Sequence, residues 1–257
     1  MKKITAKALA QAAGGVLAHE GNEPVAEHIS LDSRKMAGND LFVPIIGERA
    51  DGHDYICMAI GNGATVVFTS RHKTEEEVQE AILTQCKGDK EKETAAKAAA
   101  WICVPDTRKA LQDFGAYCRR NNPIPLVGIT GSVGKTTTRE MVAAALSAGF
   151  LVYKTPGNSN SQVGVPITVA EIPENAEIGV IELGMSEPGE MTRIANVAQV
   201  NCAVMTNIGV AHIEQLGSQE NILKEKLHIQ DGMSEKGTLF LNGDDPLLRD
   251  VVPEGGR

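Results

Sequence analysis

Short apolar runs separated by polar, glycine-containing loops mark the first hundred residues of the chain. Residues 41–46 and 64–68 are short, mainly apolar runs of strand length, and we predict a helix over residues 54–62 between them. A small α/β unit is therefore expected here. Residues 87–100 are charged and alanine-rich without apolar periodicity, which predicts an exposed helix or a mobile insertion.

Apolar runs alternate with helical segments in the rest of the chain. A helix is predicted from a cap at Asp106 or Thr107 to Arg120, and another over residues 136–148. Strands are predicted at residues 124–129, 178–183 and 202–208. This alternation is typical of parallel strands with crossover helices. We therefore predict an α/β protein with two domains, a small α/β domain at residues 1–103 and a doubly wound, mainly parallel-sheet domain at residues 104–257.

Composition narrows the class of protein. The 257 residues are 42% hydrophobic and 23% charged, as in globular proteins, and no apolar run approaches the length of a membrane span. The five cysteines are widely spread without a Cys-x-x-Cys pair, which argues against a zinc or redox motif. The N-terminus lacks the apolar stretch of a secretory signal, so we expect a cytoplasmic protein.

The formal net charge of −8 argues against a nucleic acid partner, because the average field of the protein would repel the phosphate backbone. An anionic ligand would need local basic side chains and backbone amides. One segment offers both.

Residues 128–137 read Gly-Ile-Thr-Gly-Ser-Val-Gly-Lys-Thr-Thr, between a predicted strand and a predicted helix. In a phosphate-binding loop, backbone amides and the helix dipole face phosphate oxygens, a lysine reaches the β- and γ-phosphates, and a threonine hydroxyl completes a Mg²⁺ shell. We expect these roles for residues Gly131, Ser132, Val133, Gly134, Lys135, Thr136 and Thr137. The glycine spacing is G-x-x-G-x-x-G-K-T-T, which departs from the common G-x-x-x-x-G-K-[ST]. The alternative is a glycine-rich turn beside an exposed lysine.

At this loop the sequence resembles the Mur ligases, ATP-dependent enzymes that add amino acids to the peptidoglycan precursor and share the form T-G-x-x-G-K-T-T. Among them it most resembles the members that add D-alanyl-D-alanine. The resemblance covers nearly the whole chain and is carried by residues 32–34, 38–43, 47–49, 51–54, 155–158, 160, 164–166, 182–185, 206–209, 211–212 and 242–246.

The resemblance implies substrate contacts in both predicted domains. Ser33 and Arg34 would bind the nucleotide-sugar, whereas the alternative is a surface arginine paired with Asp32 or Asp40. Asn158, Asn160 and Ser161 would face the acceptor and the γ-phosphate, although the family usually has adjacent asparagines where this chain has Asn160-Ser161. Nucleotide contacts are also implied for residues Asn242 and Asp245.

Metal ligands are implied as well. Glu182 ends a predicted strand at the edge where doubly wound sheets place ligands, and with Thr136 it would coordinate Mg²⁺. The family uses the matching histidine, His212, near a second Mg²⁺. A lysine at the position of Lys226 is carbamylated by CO₂ in the family and becomes an anionic metal ligand. Lys224 is the competing position, and a charged helix face is the alternative for both lysines.

The reaction that the resemblance implies uses ATP and Mg²⁺ to join UDP-N-acetylmuramoyl-tripeptide and D-alanyl-D-alanine through an acyl phosphate, with Lys135, His212 and Lys226 as catalytic residues. We expect a monomer, and a third, C-terminal domain that this chain lacks, so that these 257 residues alone ligate poorly. Three alternatives stay open: another Mur-type ligase such as the one adding the third amino acid, a P-loop kinase or NTPase, and a noncatalytic nucleotide-binding module.

Overall fold

The structure is a computed structural model that describes residues 1–252. The chain forms two compact units, Met1–Phe114 and Gly115–Arg257. This division falls inside a helix, Thr107–Asn121. The boundary between residues 103 and 104 stays a prediction, and residues 253–257 of the predicted second domain lie outside the described residues.

The first unit is built on a five-stranded sheet with helices packed against it. Its strands are β1 (Ile4–Thr5), β2 (Val16–His19), β3 (Val25–Ala26), β4 (His28–Ser30), β5 (Asp40–Phe42), β6 (Ala64–Thr69) and β7 (Ala100–Cys103). Its helices are α1 (Ala6–Ala12), α2 (Ile56–Gly61), α3 (Glu75–Cys86), α4 (Lys90–Ala98) and the start of α5 (Thr107–Asn121), with a 3₁₀ turn at Gly52–Tyr55. The sheet order is β2-β7-β6-β5-β4, and only the β2–β7 pair is antiparallel. Strands β1 and β3 form a separate antiparallel pair.

One expectation for this unit needs correction, and a second is decided between its two alternatives. The strand predicted over residues 41–46 ends at Phe42, because Pro44 lacks the N–H that a further ladder bond would need. For residues 87–100 the structure supports the first alternative, a largely exposed helix, rather than a mobile insertion. They include helix α4 and the first residue of β7, and the Trp101 Nε1 donates a hydrogen bond to the Ala96 carbonyl at 3.2 Å. The helix buries Ala96, and the charged residues around it in the sequence give no sign of this burial.

The second unit is a parallel sheet covered on both faces. Its strands are β8 (Leu126–Thr130), β9 (Val152–Lys154), β10 (Ile178–Glu182), β11 (Cys202–Met205) and β12 (Thr238–Leu241). Its helices are α6 (Lys135–Leu146), α7 (Gly164–Ala170), α8 (Glu190–Ala198), α9 (Ile213–Leu216), α10 (Gln219–Leu227) and α11 (Pro246–Arg249), with a 3₁₀ segment at His228–Gly232. The order is β12-β11-β8-β10-β9, with all pairs parallel.

Alternation along the central strand β8 explains the two covered faces. Leu126 packs in the larger core with residues of α7, α8 and α10, whereas Ile129 packs on the other face with Ala143 of α6. The doubly wound prediction is confirmed. Because β8, β10 and β11 are adjacent and parallel, the residues that follow them meet at one edge of the sheet.

Within residues 1–252, no helix is both long enough and apolar enough to cross a bilayer.

Candidate nucleotide site

The loop between β8 and α6 depends on two glycines in the left-handed region. Gly131 has φ 143° and Gly134, which precedes α6, has φ 83°. A Cβ atom at Gly131 would lie 1.9 Å from the Thr206 Oγ1, so no side chain fits there. The glycines let the chain turn sharply from strand to helix and leave the first amides of α6 without intrahelical partners, as anion binding requires.

The segment that follows β11 holds this loop in place. The Asn207 Oδ1 accepts a hydrogen bond from the Val133 amide, and the Asn207 carbonyl accepts one from the Ser132 amide, both at 3.0 Å. The Thr206 hydroxyl donates to the Val133 carbonyl at 2.6 Å, and the Ser132 Oγ accepts from the Gly209 amide at 2.8 Å. Thr206 and Asn207 therefore shape the phosphate loop, a role that the sequence alone did not assign to them.

Lys135 folds over the loop. Its Nζ donates hydrogen bonds to the carbonyls of Gly131 at 2.8 Å and Ser132 at 3.3 Å. Burial lowers the pKa of this lysine, and the nearby charge of Glu182 opposes that shift. The ammonium group thus lies within the loop where the phosphates of a nucleotide would be cradled.

Glu182 lies at the carboxyl end of β10, and its carboxylate is fully buried. Its Oε2 accepts hydrogen bonds from the Thr136 hydroxyl at 3.1 Å and from Arg139 Nη1 at 3.3 Å, and its Oε1 accepts one from Asn160 Nδ2 at 2.8 Å. The structure brings the two predicted Mg²⁺ ligands, Thr136 and Glu182, into contact and places the Asn160 side chain beside them, whereas metal binding itself stays a prediction. Arg139 was missed, because one arginine on a charged helix gives no signal of a partner 43 residues away.

These side chains line a cavity of about 450 Å³, formed by residues Gly134, Lys135, Thr136, Thr137, Asn158, Asn160 and Glu182. The residues present fit Mg²⁺, because a hydroxyl and a carboxylate oxygen, the hard ligands that this ion prefers, already touch each other at the cavity wall.

Burial distinguishes the two candidate lysines of α10. Lys226 is 2% exposed, whereas Lys224 is exposed to solvent. Burial, together with the like charge of Lys135, lowers the pKa of Lys226 to about 8, against the opposing influence of Glu225. Lys226 is therefore a buried amine near the phosphate-loop lysine rather than part of a charged helix face.

His212 lies on the loop after β11, just before α9, with its side chain exposed and its φ at 66°. Within residues 1–252, no group of three or more His, Cys, Asp or Glu side chains is arranged so that it could hold a metal ion. Metal binding by His212 and Lys226 stays a prediction.

Asn242 and Asp245 belong to the segment after β12. The Asn242 Nδ2 donates to the Thr206 carbonyl at 2.9 Å, and the Asp245 Oδ2 accepts from the Ile208 amide at 2.8 Å. The other oxygen of Asp245 accepts from the Leu247 amide at 2.9 Å and so begins α11. Both side chains support the segment 206–208 that holds the phosphate loop, and nucleotide contact stays a prediction for each.

Ser161 contributes differently from its neighbour Asn160. The Ser161 Oγ accepts a hydrogen bond from the Gly164 amide at 3.3 Å, at the start of α7, and its residue is exposed. Asn158 is also exposed, and its carbonyl accepts a hydrogen bond from the Asn160 amide at 2.8 Å. The loop 158–161 is thus held by one hydrogen bond within the loop and others to α7 and Gly184, and the side-chain amide of Asn160 is directed to Glu182.

In the first unit, Arg34 pairs with Asp32, one of the two partners that the alternative interpretation named. The guanidinium Nε and Nη2 contact the Asp32 carboxylate at 2.8 and 2.9 Å, and this pairing lowers the pKa of Asp32 to about 2. Arg34 remains largely exposed, and Ser33 is buried with its hydroxyl 3.5 Å from the Met58 sulfur. A guanidinium group that is already oriented by Asp32 can still bind an anionic ligand through its remaining N–H groups. Substrate binding by Ser33 and Arg34 stays a prediction.

Comparisons with known proteins match both parts of the chain. The Mur ligase middle domain matches residues 129–255, and the family described as "Mur ligase family, catalytic domain" matches residues 26–118.

Several curated relatives are UDP-N-acetylmuramoyl-tripeptide--D-alanyl-D-alanine ligases. The chain is 37% identical to the one from Bacillus subtilis over 98% of its own length and 51% of that protein. It is 31% identical to the one from Escherichia coli, over 95% of its own length and 49% of the relative. The chain therefore spans about half the length of the curated relatives it matches.

Solved structures agree with these matches. A crystal structure of MurF from Acinetobacter baumannii superposes with a TM-score of 0.81 at 29% identity, covering 96% of this chain and 50% of that one. The MurF ligase from Thermotoga maritima, solved in complex with ADP, gives a TM-score of 0.72 at 31% identity over 89% of this chain and 48% of that one. With both of its units matched in sequence and its fold matched in structure, the chain belongs to the Mur ligase family.

Proposed function

We propose that this chain is the nucleotide-binding and precursor-binding part of an ATP-dependent ligase that joins D-alanyl-D-alanine to UDP-N-acetylmuramoyl-tripeptide. The observation that carries the proposal is the grouping of Lys135, Thr136 and Glu182 around one cavity beside the phosphate loop. The reaction is proposed from relatives that bear this activity in their names and match nearly all of this chain.

The phosphate loop would hold ATP through the amides of residues 131–134 and the ammonium group of Lys135. These donors would stabilise the negative charge that develops on the transferring phosphoryl group. Thr136 and Glu182 would hold Mg²⁺, which when bound neutralises charge between the β- and γ-phosphates. Arg139 and Asn160 would keep the Glu182 carboxylate oriented, since each donates a hydrogen bond to it.

Lys226 and His212 would provide a second metal site. The neutral amine of Lys226 would form an N–C bond with CO₂ and release a proton to solvent, which converts the side chain into an anionic carbamate. Its burial beside Lys135 supports this proposal, because a lysine at this position is less stable as a cation than an exposed one.

In the proposed reaction, a carboxylate oxygen of the tripeptide attacks the γ-phosphorus of ATP, and the bond to the β-phosphate oxygen breaks to release ADP. The amine of D-alanyl-D-alanine then attacks the acyl phosphate, an amide bond forms, and inorganic phosphate leaves while the amine proton passes to solvent. Asn158, Asn160 and Ser161 would face the acceptor. Ser33 and Arg34 of the first unit would bind the nucleotide-sugar.

A ligation assay on the full-length gene product would test the proposal. ADP release would be measured with ATP, Mg²⁺, each candidate precursor and each candidate amine, with the amide product identified by mass spectrometry. We expect product only with the tripeptide precursor and D-alanyl-D-alanine. Consumption of the dipeptide precursor would indicate the ligase that adds the third amino acid, ADP without amide would indicate a kinase or NTPase, and binding without turnover would indicate a noncatalytic module.

We further propose that the protein acts as a cytoplasmic monomer. Sedimentation of the full-length protein in the presence of ATP and Mg²⁺ would test its oligomeric state.

A further inference from the structure

Helix α10 carries two adjacent buried charged residues, Glu225 and Lys226. Glu225 is 7% exposed and Lys226 is 2% exposed. The Glu225 carboxylate accepts hydrogen bonds from the Gly189 amide through one oxygen and from the Met191 amide through the other, both at 2.9 Å. The negative charge beside Lys226 in sequence is therefore bonded to the beginning of α8.

Helix α8 lacks a cap of its own. Its N-cap residue is Gly189, with φ 78° and no side chain to accept from the first-turn amides. Glu225 supplies that acceptor from another helix, and its negative charge suits the positive end of the α8 dipole. The carboxylate thus ties α10 to the N-terminus of α8.

A second close contact fixes the other end of the same segment. A Cβ atom at Gly232, at the end of the 3₁₀ turn that continues α10, would lie 1.9 Å from the Ala195 carbonyl oxygen of α8. Residues 219–232 therefore contact α8 closely at two separate points. Because consecutive helix residues project about 100° apart, an anchor at Glu225 fixes the direction in which Lys226 leaves the helix.

We propose that Glu225 is a positioning residue for Lys226. By capping α8, it holds α10 in the rotation that buries the Lys226 amine on the side of Lys135. The inference rests on the proposed function in assigning a chemical role to Lys226, but the positioning itself follows from the contacts of Glu225.

Two variants test the positioning, Glu225→Ala, which removes both hydrogen bonds, and Glu225→Gln, which keeps the shape and one acceptor oxygen. The control is Glu220→Gln, an exposed carboxylate in the first turn of the same helix. A brief pulse of an N-hydroxysuccinimide acetate reagent would be followed by peptide mass spectrometry. We expect acetylation of Lys226 to be at least about tenfold faster in Glu225→Ala, intermediate in Glu225→Gln, and parental in Glu220→Gln, because burial protects the amine.

Labelling of Lys135, which is half-buried, serves as the internal reference for general loosening of the protein, and labelling of the exposed Lys224 as the reference for reagent activity. If Glu225→Ala does not fold, Glu225→Gln carries the test alone. Parental labelling of Lys226 in the folded variants overturns the inference, and so does acceleration shared equally by Lys135.

A second measurement separates this inference from the proposed function. Carbon NMR with ¹³C-bicarbonate would report a carbamate on Lys226 directly, and we expect that signal to fall in Glu225→Ala and to recover partly in Glu225→Gln. No carbamate in the parent protein would contradict the proposed role of Lys226, while the labelling result would still decide whether Glu225 positions it. A full carbamate signal in Glu225→Ala would overturn the inference.

Discussion

At the scale of single residues, Lys226 and Lys224 lie two positions apart on α10 and differ mainly in burial. The sequence ranks Lys226 first only through the family resemblance, because Leu223-Lys224-Glu225-Lys226-Leu227 reads equally well as a charged helix face. The structure supplies the missing physical distinction by burying one amine and exposing the other.

We predict that Lys226→Ala lowers kcat of the proposed ligation reaction by about 10²- to 10³-fold, the usual effect of removing one group that stabilises transition-state charge. Lys224→Ala, which changes an exposed lysine on the same helix, should retain parental kcat. Steady-state ADP release with saturating substrates checks both variants. Parental activity of Lys226→Ala without any added anion would exclude the proposed metal-ligand role.

Arg34 is oriented by Asp32, and this pairing has a measurable electrostatic consequence. The guanidinium lowers the pKa of Asp32 to about 2, chiefly through the side-chain hydrogen bond. We predict that Arg34→Ala returns the pKa of Asp32 toward its usual range near 4, as followed by the carboxyl carbon chemical shift during an acid titration.

The lowered pKa of Asp32 determines how its ionisation changes the stability of the folded state with pH. Because folding depresses the pKa of Asp32, its ionised form stabilises the folded state at pH above about 4, and that contribution is lost as the pH falls toward 2. Arg49→Ala, an exposed arginine in a neighbouring loop, should leave the Asp32 titration unchanged. An unshifted midpoint in Arg34→Ala would show that the pairing does not persist in solution.

At the scale of elements, much of the phosphate loop could be predicted because its signal is local. An apolar strand ends at Thr130, two glycines and Lys-Thr-Thr follow in residues 131–137, and the loop joins the predicted strand and helix. The residues that support the loop could not be predicted in the same way. Asn207 lies 74 residues from Val133, and only the β8–β11 pairing brings them together.

Residues 87–100 show where prediction from local sequence fails. Local composition favours an exposed helix or insertion, yet the pairing of Ala100 with Val66 places its end in the sheet. Tertiary pairing with β6 overrides a helical propensity that alanine would extend. The sequence therefore predicts elements with strong local patterns better than it predicts where a weakly patterned stretch changes type.

The support of the phosphate loop by Asn207 leads to a prediction about nucleotide affinity. Asn207→Ala removes the acceptor for the Val133 amide, and one such hydrogen bond contributes about 1 kcal/mol. We expect ADP binding to weaken about fivefold, measured by isothermal titration calorimetry with Mg²⁺. Asn196→Ala, which changes an exposed asparagine on α8, should bind ADP as the parent does. Equal affinities in the two variants would show that the loop keeps its shape without this contact.

At the scale of the whole molecule, the candidate phosphate-binding residues all belong to the second unit, and each unit has its own hydrophobic core. The single tryptophan, Trp101, is fully buried in the core of the first unit, so its fluorescence reports on that unit alone. Unfolding of the first unit can therefore be followed by tryptophan fluorescence separately from unfolding of the second unit.

We predict that ADP with Mg²⁺ stabilises the second unit selectively. At a free ligand concentration of 100 times Kd, binding linkage raises the free energy of opening by about 2.7 kcal/mol. Hydrogen exchange of peptides from β8, β10 and β11 should slow accordingly, whereas the urea midpoint from Trp101 fluorescence should not move. Lys135→Ala should remove the protection, because the loop then loses the ammonium group that is proposed to face the phosphates of the nucleotide. Equal slowing in the strands β5, β6 and β7 would contradict this assignment, because it would mean that the nucleotide stabilises both units.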